Sequence, residues 1–224
     1  PLEPLPETLH RIEPHPYVAV GAPYGEGVCP FRLRRGVIQR LLQAQAVLRE
    51  AEPAYRLAIF DAWRPIAVQR YMVEHAIAAE CNARGLDPSH PSEAVRAVMD
   101  EVGRFWAPPS LDPATPPPHS TGAAVDLTLL DETGQLVDMG SAIDAIGAVS
   151  EPHHYLSVAN VTGDGLKKQR ALEWHRRRRQ LAAALESAGF AQHPNEWWHF
   201  SYGDQLWAWQ SGQATAIYGR ASGS

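Results

Sequence analysis

The stretch His119-Ser120-Thr121-Gly122-Ala123-Ala124-Val125-Asp126-Leu127-Thr128-Leu129-Leu130 divides into a loop and a strand. Its first half follows a proline-rich run, Pro108 to Pro118, that carries the chain without regular structure, and Gly122 supplies the backbone freedom for a tight turn. From Ala124 the residues turn apolar, and the pattern predicts a strand over 124–130. Asp131-Glu132-Thr133-Gly134 reads as a turn after it, and 135–139 as a short return strand. A strand that folds back on itself belongs to an antiparallel sheet.

Upstream, residues 1–36 hold many Pro and Gly with no sustained period, the pattern of an irregular N-terminal arm laid over the fold. Val37, Leu41, Leu42 and Leu48 fall near a helical period over 37–51, which Pro53 ends. Tyr55 to Asp61 is short, apolar and partly aromatic, so it reads as a buried strand. Asp61-Ala62-Trp63-Arg64-Pro65 leaves that strand, and Pro65 opens a helix to about Arg84, placing Arg64 at a strand-to-helix turn. Ser92 reads as the N-cap of a helix over 92–104. A last helix spans 166–188 and stops at Gly189, and Trp198 to Tyr202 form a terminal strand. Strands and helices do not alternate regularly, so the expected fold is α+β, a small and mostly antiparallel sheet flanked by helices, in one domain over 1–224.

The chemistry gathers at two junctions. His119 and Asp126 flank the turn at Gly122, and Glu196-Trp197-Trp198-His199 sets a carboxylate and an imidazole three positions apart. His119, Asp126 and His199 make a three-ligand zinc set that leaves a position for water, with Glu196 as general base. In a regular strand Glu196 and His199 would point to opposite faces, so the chain must bend near Glu196, and Pro194-Asn195 supplies that bend. Each motif arises singly by chance, and Trp197 and Trp198 read as core aromatics. What favours a site is that each lies where one element meets the next. His10, His15, His75, His90, His175 and His193 have no ligand-type partner at a usual spacing, and His153-His154 reads as a pair in a loop at a pocket rim.

Composition narrows the partners. The 224 residues are 45% hydrophobic with a formal charge of -5 and a pI near 6.1. That balance offers no electrostatic footprint for nucleic acid or an anionic membrane and favours a small substrate, with a homo-oligomer left open. Arg176-Arg177-Arg178-Arg179 lies in a helix with Leu172, Leu181 and Leu185 and reads as a solvated face. Cys29 and Cys81 read as two reduced thiols. No stretch has the apolar length of a membrane span, and the expectation is a cytoplasmic protein, or a periplasmic one if a leader preceded Pro1.

The string from His119 to Leu129, Met139-Gly140-Ser141 with Asp144, the His153-His154 pair, Glu196-Trp197-Trp198-His199 and Asp61-Ala62-Trp63-Arg64-Pro65 together resemble the zinc-dependent D-alanyl-D-alanine dipeptidases of the vancomycin-resistance type, peptidase family M15. The resemblance covers roughly 37–202 and implies a Hedgehog/DD-peptidase-like zinc hydrolase that cleaves D-Ala-D-Ala with one Zn²⁺ per chain. It implies His119, Asp126 and His199 as ligands, Glu196 as the base acting on zinc-bound water, Arg64 as the group stabilising the transition state, and Asp144 as the partner of the substrate amine. Pro117 departs from it, since the family usually has Ser or Thr there, a hydroxyl thought to help hold the substrate carboxylate. Two other readings of the same residues are a carboxypeptidase or endopeptidase acting on longer cell-wall peptides, and a non-catalytic zinc-stabilised binding domain.

Overall fold

The fold is that of a computed structural model in which residues 1–221 are described. The strand expected over 124–130 forms over those residues, and all seven are buried because it lies in the middle of a sheet covered on both faces. In chain order the elements are β1 (Leu2–Pro4), β2 (His10–Arg11), α1 (Pro16–Ala19), β3 (Arg32–Arg34), α2 (Arg35–Ala51), β4 (Arg56–Asp61), α3 (Ile66–Ala83) and α4 (Glu93–Val102), followed by a 3-10 turn over Pro118–Thr121. The chain continues through β5 (Ala124–Leu130), a 3-10 turn over Ala148–Ser150, α5 (His154–Val161), α6 (Gly165–Ser187), β6 (Ala191–Gln192), β7 (His199–Ser201) and α7 (Gln205–Gln210). The main sheet runs β2-β4-β5-β7-β6, antiparallel except for the β2–β4 pair. This is the expected α+β fold.

Alternation along β5 divides the molecule. Val125, Leu127 and Leu129 join Val37, Leu41 and Leu48 of α2 and Leu181 and Leu185 of α6 in the larger core. Asp126 and Thr128 point the other way. On that side α3 and α4 pack Val68, Met72, Val95 and Val98 against Tyr17, Phe105 and Trp106. Among the described residues no helix is long and apolar enough to cross a membrane.

Several expectations need correction. The arm over 1–36 is structured: β1 pairs with β3, β2 with β4, and Leu5, Leu9, Tyr17 and Phe31 are buried. Strands of two or three residues carry no detectable period, which hid them. No strand forms over 135–139; Asp131 Oδ1 takes the amides of Thr133 and Gln135, and only a single bridge, Leu130 to Leu136, forms. His153-His154 is not a loop pair but the N-terminus of α5. The helix over 166–188 is not the last, since α7 follows, and the strand at β7 is not terminal. Leu42 and Leu172 are exposed.

The largest correction concerns the arginine run. Arg178 is 1% exposed, because it shares with Leu181 and Leu185 the stripe of α6 that faces the core. Its guanidinium donates to the carbonyls of Met139 (2.9 Å) and Glu151 (3.0 Å) and to Ser141 Oγ (3.0 Å). It lies over the rings of Tyr155 and Trp197, and burial lowers its pKa to about 10, still a cation at neutral pH. Replacing Arg178 by Met would leave those buried acceptors unpaired, so Arg178→Met is expected to lower unfolding free energy in urea by on the order of 3 kcal/mol. A loss under about 1 kcal/mol would show that the guanidinium is dispensable.

Candidate active site

The sheet itself lines up the site. A bulge in β4 lets Ile59 pair with Leu127 while Asp61, two residues on, pairs with Asp126. Asp126 in turn pairs with His199 on β7. Residues opposite one another in adjacent strands project to the same face, so Asp61, Asp126 and His199 form one row across three strands. His119 reaches this row from the 3-10 turn before β5. There Gly122 adopts φ +69°, and a Cβ on it would lie 2.1 Å from Leu2 Cδ2, so glycine is required by both backbone and space.

Four acceptor atoms converge at the head of the row. His119 Nδ1 lies 2.7 Å from the carbonyl of Ala62, so it carries the proton and Nε2 is a lone pair. Ser201 Oγ donates to Asp204 Oδ2 (2.6 Å), so it can only accept from His199 Nε2 at 3.3 Å, which leaves His199 Nδ1 as a lone pair. These two bare nitrogens face each other at 3.2 Å, with Asp126 Oδ2 3.2 Å from the first and Oδ1 3.0 Å from the second. Donor atoms of all three residues lie within 4.8 Å of one another, and all three are buried. A cation bound among these lone pairs would satisfy all of them at once. Two imidazoles and one carboxylate, with the far nitrogen of each imidazole already hydrogen-bonded, are the donor set of a catalytic zinc ion.

Arg64 closes one wall. Its Nε and Nη2 hold Asp61 Oδ2 at 3.0 and 2.8 Å, Nη1 donates to Gln69 Oε1 at 2.9 Å, and Nη2 reaches Tyr17 Oη and Asp126 Oδ2 at 3.3 Å. The guanidinium sits between the rings of Tyr17 and Trp106. Burial would raise Asp61, but the Arg64 charge and the hydrogen bond from His15 hold it well below the usual carboxylate range. His15 is fixed in turn, because its Nδ1 accepts the amide of Tyr17 and its Nε2 therefore donates to Asp61 Oδ1, where Tyr24 Oη also donates.

The remaining two carboxylates are less well served. Glu196 precedes β7 in a turn, so the expected bend exists, and its Oε2 lies 3.6 Å from His199 Nδ1. No hydrogen bond to its carboxylate forms among the described residues, and burial, with the charges of Asp126 and Asp144, pushes its pKa well up. Asp144 takes the left-handed conformation at φ 65° and accepts from Tyr17 Oη at 2.9 Å. Burial first, then the charge of Asp126, pushes it up to about 7 in the metal-free pocket.

All six residues singled out in the sequence line one cleft, together with Gln69, Trp106 and His193. Asp61, His15, Tyr17, Tyr24 and His193 were missed as members of the site. For Asp61 and His193 a signal existed, since each stands three residues before Arg64 or Glu196; for His15, Tyr17 and Tyr24 there was none.

The raised pKa of Asp144 has a consequence for stability. A carboxyl that ionises near 7 folded and near 3.8 unfolded favours unfolding increasingly as pH rises between those values, and the penalty is complete above the folded value. In zinc-free protein, Asp144→Asn, which keeps an acceptor for Tyr17 and tolerates the left-handed backbone, should raise the melting temperature at pH 8. The gain should fade toward pH 4. Equal melting temperatures at pH 8 would refute it.

The comparisons with known proteins point to one family. The family model described as D-ala-D-ala dipeptidase, peptidase M15, matches residues 10–216. A D-alanyl-D-alanine dipeptidase of Synechocystis is 46% identical over 98% of this chain and 91% of its own. A D-alanyl-D-alanine dipeptidase of Enterococcus faecalis is 30% identical over 75% of this chain and 76% of its own. The crystal structure of a vancomycin-resistance D,D-pentapeptidase, VanY, aligns with a TM-score of 0.44 at 15% identity, over 83% of this chain and 82% of that one, a likeness too distant to bear on the site. A match over nearly the whole chain, on a sheet that brings His119, Asp126 and His199 together, places this protein in the D-Ala-D-Ala dipeptidase family of M15 peptidases.

Proposed function

We propose that this protein hydrolyses free D-Ala-D-Ala, with His119, Asp126 and His199 holding zinc, Glu196 as general base, Arg64 stabilising the transition state and Asp144 receiving the substrate amine. The observation that carries the reading is the pairing of a metal-ligand cluster with a further, half-buried carboxylate, Asp144, that lines the same cleft and has no ion pair with a cation among the described residues. A peptide presented there with a free α-amine supplies that cation, and a dipeptide is the shortest peptide that also offers a scissile bond.

Zinc, when bound, supplies a Lewis acid that polarises the peptide carbonyl and lowers the pKa of water to about 7. The residues do the rest. Glu196 accepts a proton from the attacking water and delivers it to the departing amine, its oxygens having no hydrogen-bond donor among the described residues to hold them otherwise. The guanidinium of Arg64 is held flat by Asp61 and Gln69 and stabilises the negative charge that grows on the carbonyl oxygen. Asp144 fixes the other end through the ammonium, with Tyr17 orienting its carboxylate.

Two outcomes test this. Chelation should abolish turnover and added zinc restore it. His119→Ala should lose zinc, whereas Glu196→Gln should keep zinc and fold yet lose at least about 10² in kcat. A Glu196→Gln variant with normal turnover would overturn the assignment of the base.

Substrate length is tested separately. Acetylating the amine of D-Ala-D-Ala removes the ammonium and leaves Asp144 unmatched, a cost of roughly 3–5 kcal/mol at a buried site. The kcat/KM for the blocked peptide should therefore fall by orders of magnitude, and Asp144→Ala should narrow the gap by slowing the free dipeptide. Comparable values for free dipeptide and for N-blocked tripeptides would favour a carboxypeptidase.

A further inference from the structure

A free dipeptide brings a carboxylate as well as an ammonium, and the dipeptidase reading assigns nothing to receive it. The cleft is acidic, with Asp126, Asp144 and Glu196 all lining it, so an anion entering there needs a donor. Most of the donors are committed. Arg64 is taken, in the proposed reaction, by the carbonyl oxygen, and the side-chain amide of Gln69 donates to the carbonyl of Ala107 at 2.6 Å. His119 donates to Ala62, and the N–H of His199 is directed to Ser201. Beside His119 the wall is Pro118, preceded by Pro117, and neither residue has a backbone N–H or a hydroxyl to offer.

The indole N–H groups of Trp106 and Trp198, which also line the cleft, have no protein partner among the described residues, and among the imidazoles His193 is the one with an unpartnered N–H. It lines the same cleft, its ring packs edge-on against His199 with centroids 5.4 Å apart, and its Nδ1 lies 3.8 Å from Glu196 Oε1. The backbone amide of Asn195 donates to that Nδ1 at 3.2 Å, which makes Nδ1 an acceptor and puts the proton of the neutral ring on Nε2. Nε2 has no protein partner among the described residues and is not sealed from solvent. The ring is held in place from behind, since the backbone N–H of His193 bonds the carbonyl of His199 at 2.9 Å and so ties it to the strand that bears a metal ligand.

The geometry points to His193 Nε2–H as the donor that receives the C-terminal carboxylate of the substrate, making His193 a specificity-determining residue that restricts the enzyme to peptides ending in a free acid at the second residue. This rests on the dipeptidase reading. With Nδ1 already accepting from Asn195, the single proton of the neutral ring is on Nε2. The hydrogen bond it offers is charge-assisted from the substrate side.

The test compares D-Ala-D-Ala with its C-terminal amide in wild-type holoenzyme, in His193→Phe, which keeps a ring but has no N–H, and in His193→Gln, which keeps a donor. Zinc content and melting temperature are measured alongside. Wild type should prefer the acid. His193→Phe should raise KM for the acid at least about ten-fold with kcat little changed, leave the amide nearly unaffected, and retain zinc. His193→Gln should recover most of the preference, and it also carries the test if the Phe variant does not fold. An active, zinc-loaded His193→Phe enzyme with unaltered KM and the same acid-to-amide ratio would overturn the role of His193 alone. Loss of zinc or of kcat in both variants would make His193 a support of the metal site and would also overturn it. A zinc-loaded wild type that leaves D-Ala-D-Ala intact would instead overturn the dipeptidase reading, and this proposal with it.

Discussion

The site depends on a register constraint: the bulge in β4 that sets Asp61 opposite Asp126, and Asp126 opposite His199. Without the extra residue, Asp61 would point into the larger core among Leu57, Ile59 and Leu127, where a carboxylate has no partner. With it, Asp61 faces the cleft and becomes the anchor of Arg64. The charge balance then follows. Asp61, Asp126 and Glu196 are buried and Asp144 half-buried, four carboxylates facing one buried guanidinium. A divalent cation removes two of the three excess negative charges. The last is met by a proton while the cleft is empty, and by an ammonium when substrate arrives. The high pKa values of Glu196 and Asp144 and the face-to-face nitrogens of His119 and His199 are therefore symptoms of one deficit, positive charge that the chain does not itself supply.

Where a local pattern governed the outcome, the sequence could be read. The helices α2, α3 and α4 and the strands β4 and β5 each carry a period or a cap of their own; Ser92 Oγ, for example, accepts the amide of Val95 as its N-cap position implies. The convergence of the candidate site residues was legible for a similar reason, since His119 and Asp126 sit in one short string and Glu196 and His199 in another. What supports them was not. His15 reaches Asp61 across 46 positions and Tyr17 reaches Asp144 across 127, through an arm whose strands are too short to show a period. Arg178 was misread because charge outweighed position: the leucines three and seven residues later mark the buried stripe of α6, and the arginine lies on it.

That misreading bears on function, because Arg178 secures the loop that presents Asp144. The segment between β5 and α5 has little regular structure, yet Met139, Ser141 and Glu151 are all pinned by one guanidinium. Tyr155 Oη adds a bond to the carbonyl of Gly140, where any Cβ would collide with the Tyr155 ring at 2.4 Å. A loop held this way can keep a partly buried carboxylate in a left-handed conformation, a cost that an unrestrained loop would relieve by moving.

The same loop is tied to the catalytic turn. Trp197 Nε1 donates to Ser141 Oγ at 3.0 Å, and the Trp197 amide donates to the carbonyl of Ser150 at 2.9 Å. Trp197 is also the immediate neighbour of Glu196, and its ring lies beneath Arg178. The carboxylate that would receive the substrate amine and the one that would move the proton are thus carried by two segments clamped to the same tryptophan. Amine and scissile carbonyl are a fixed distance apart in any dipeptide, so an enzyme for such a substrate gains from holding the two carboxylates at a matching separation. Trp197 and Arg178 tie the two segments together through packing and hydrogen bonds, so the spacing of the two carboxylates depends on residues beneath the cleft as well as on those that line it.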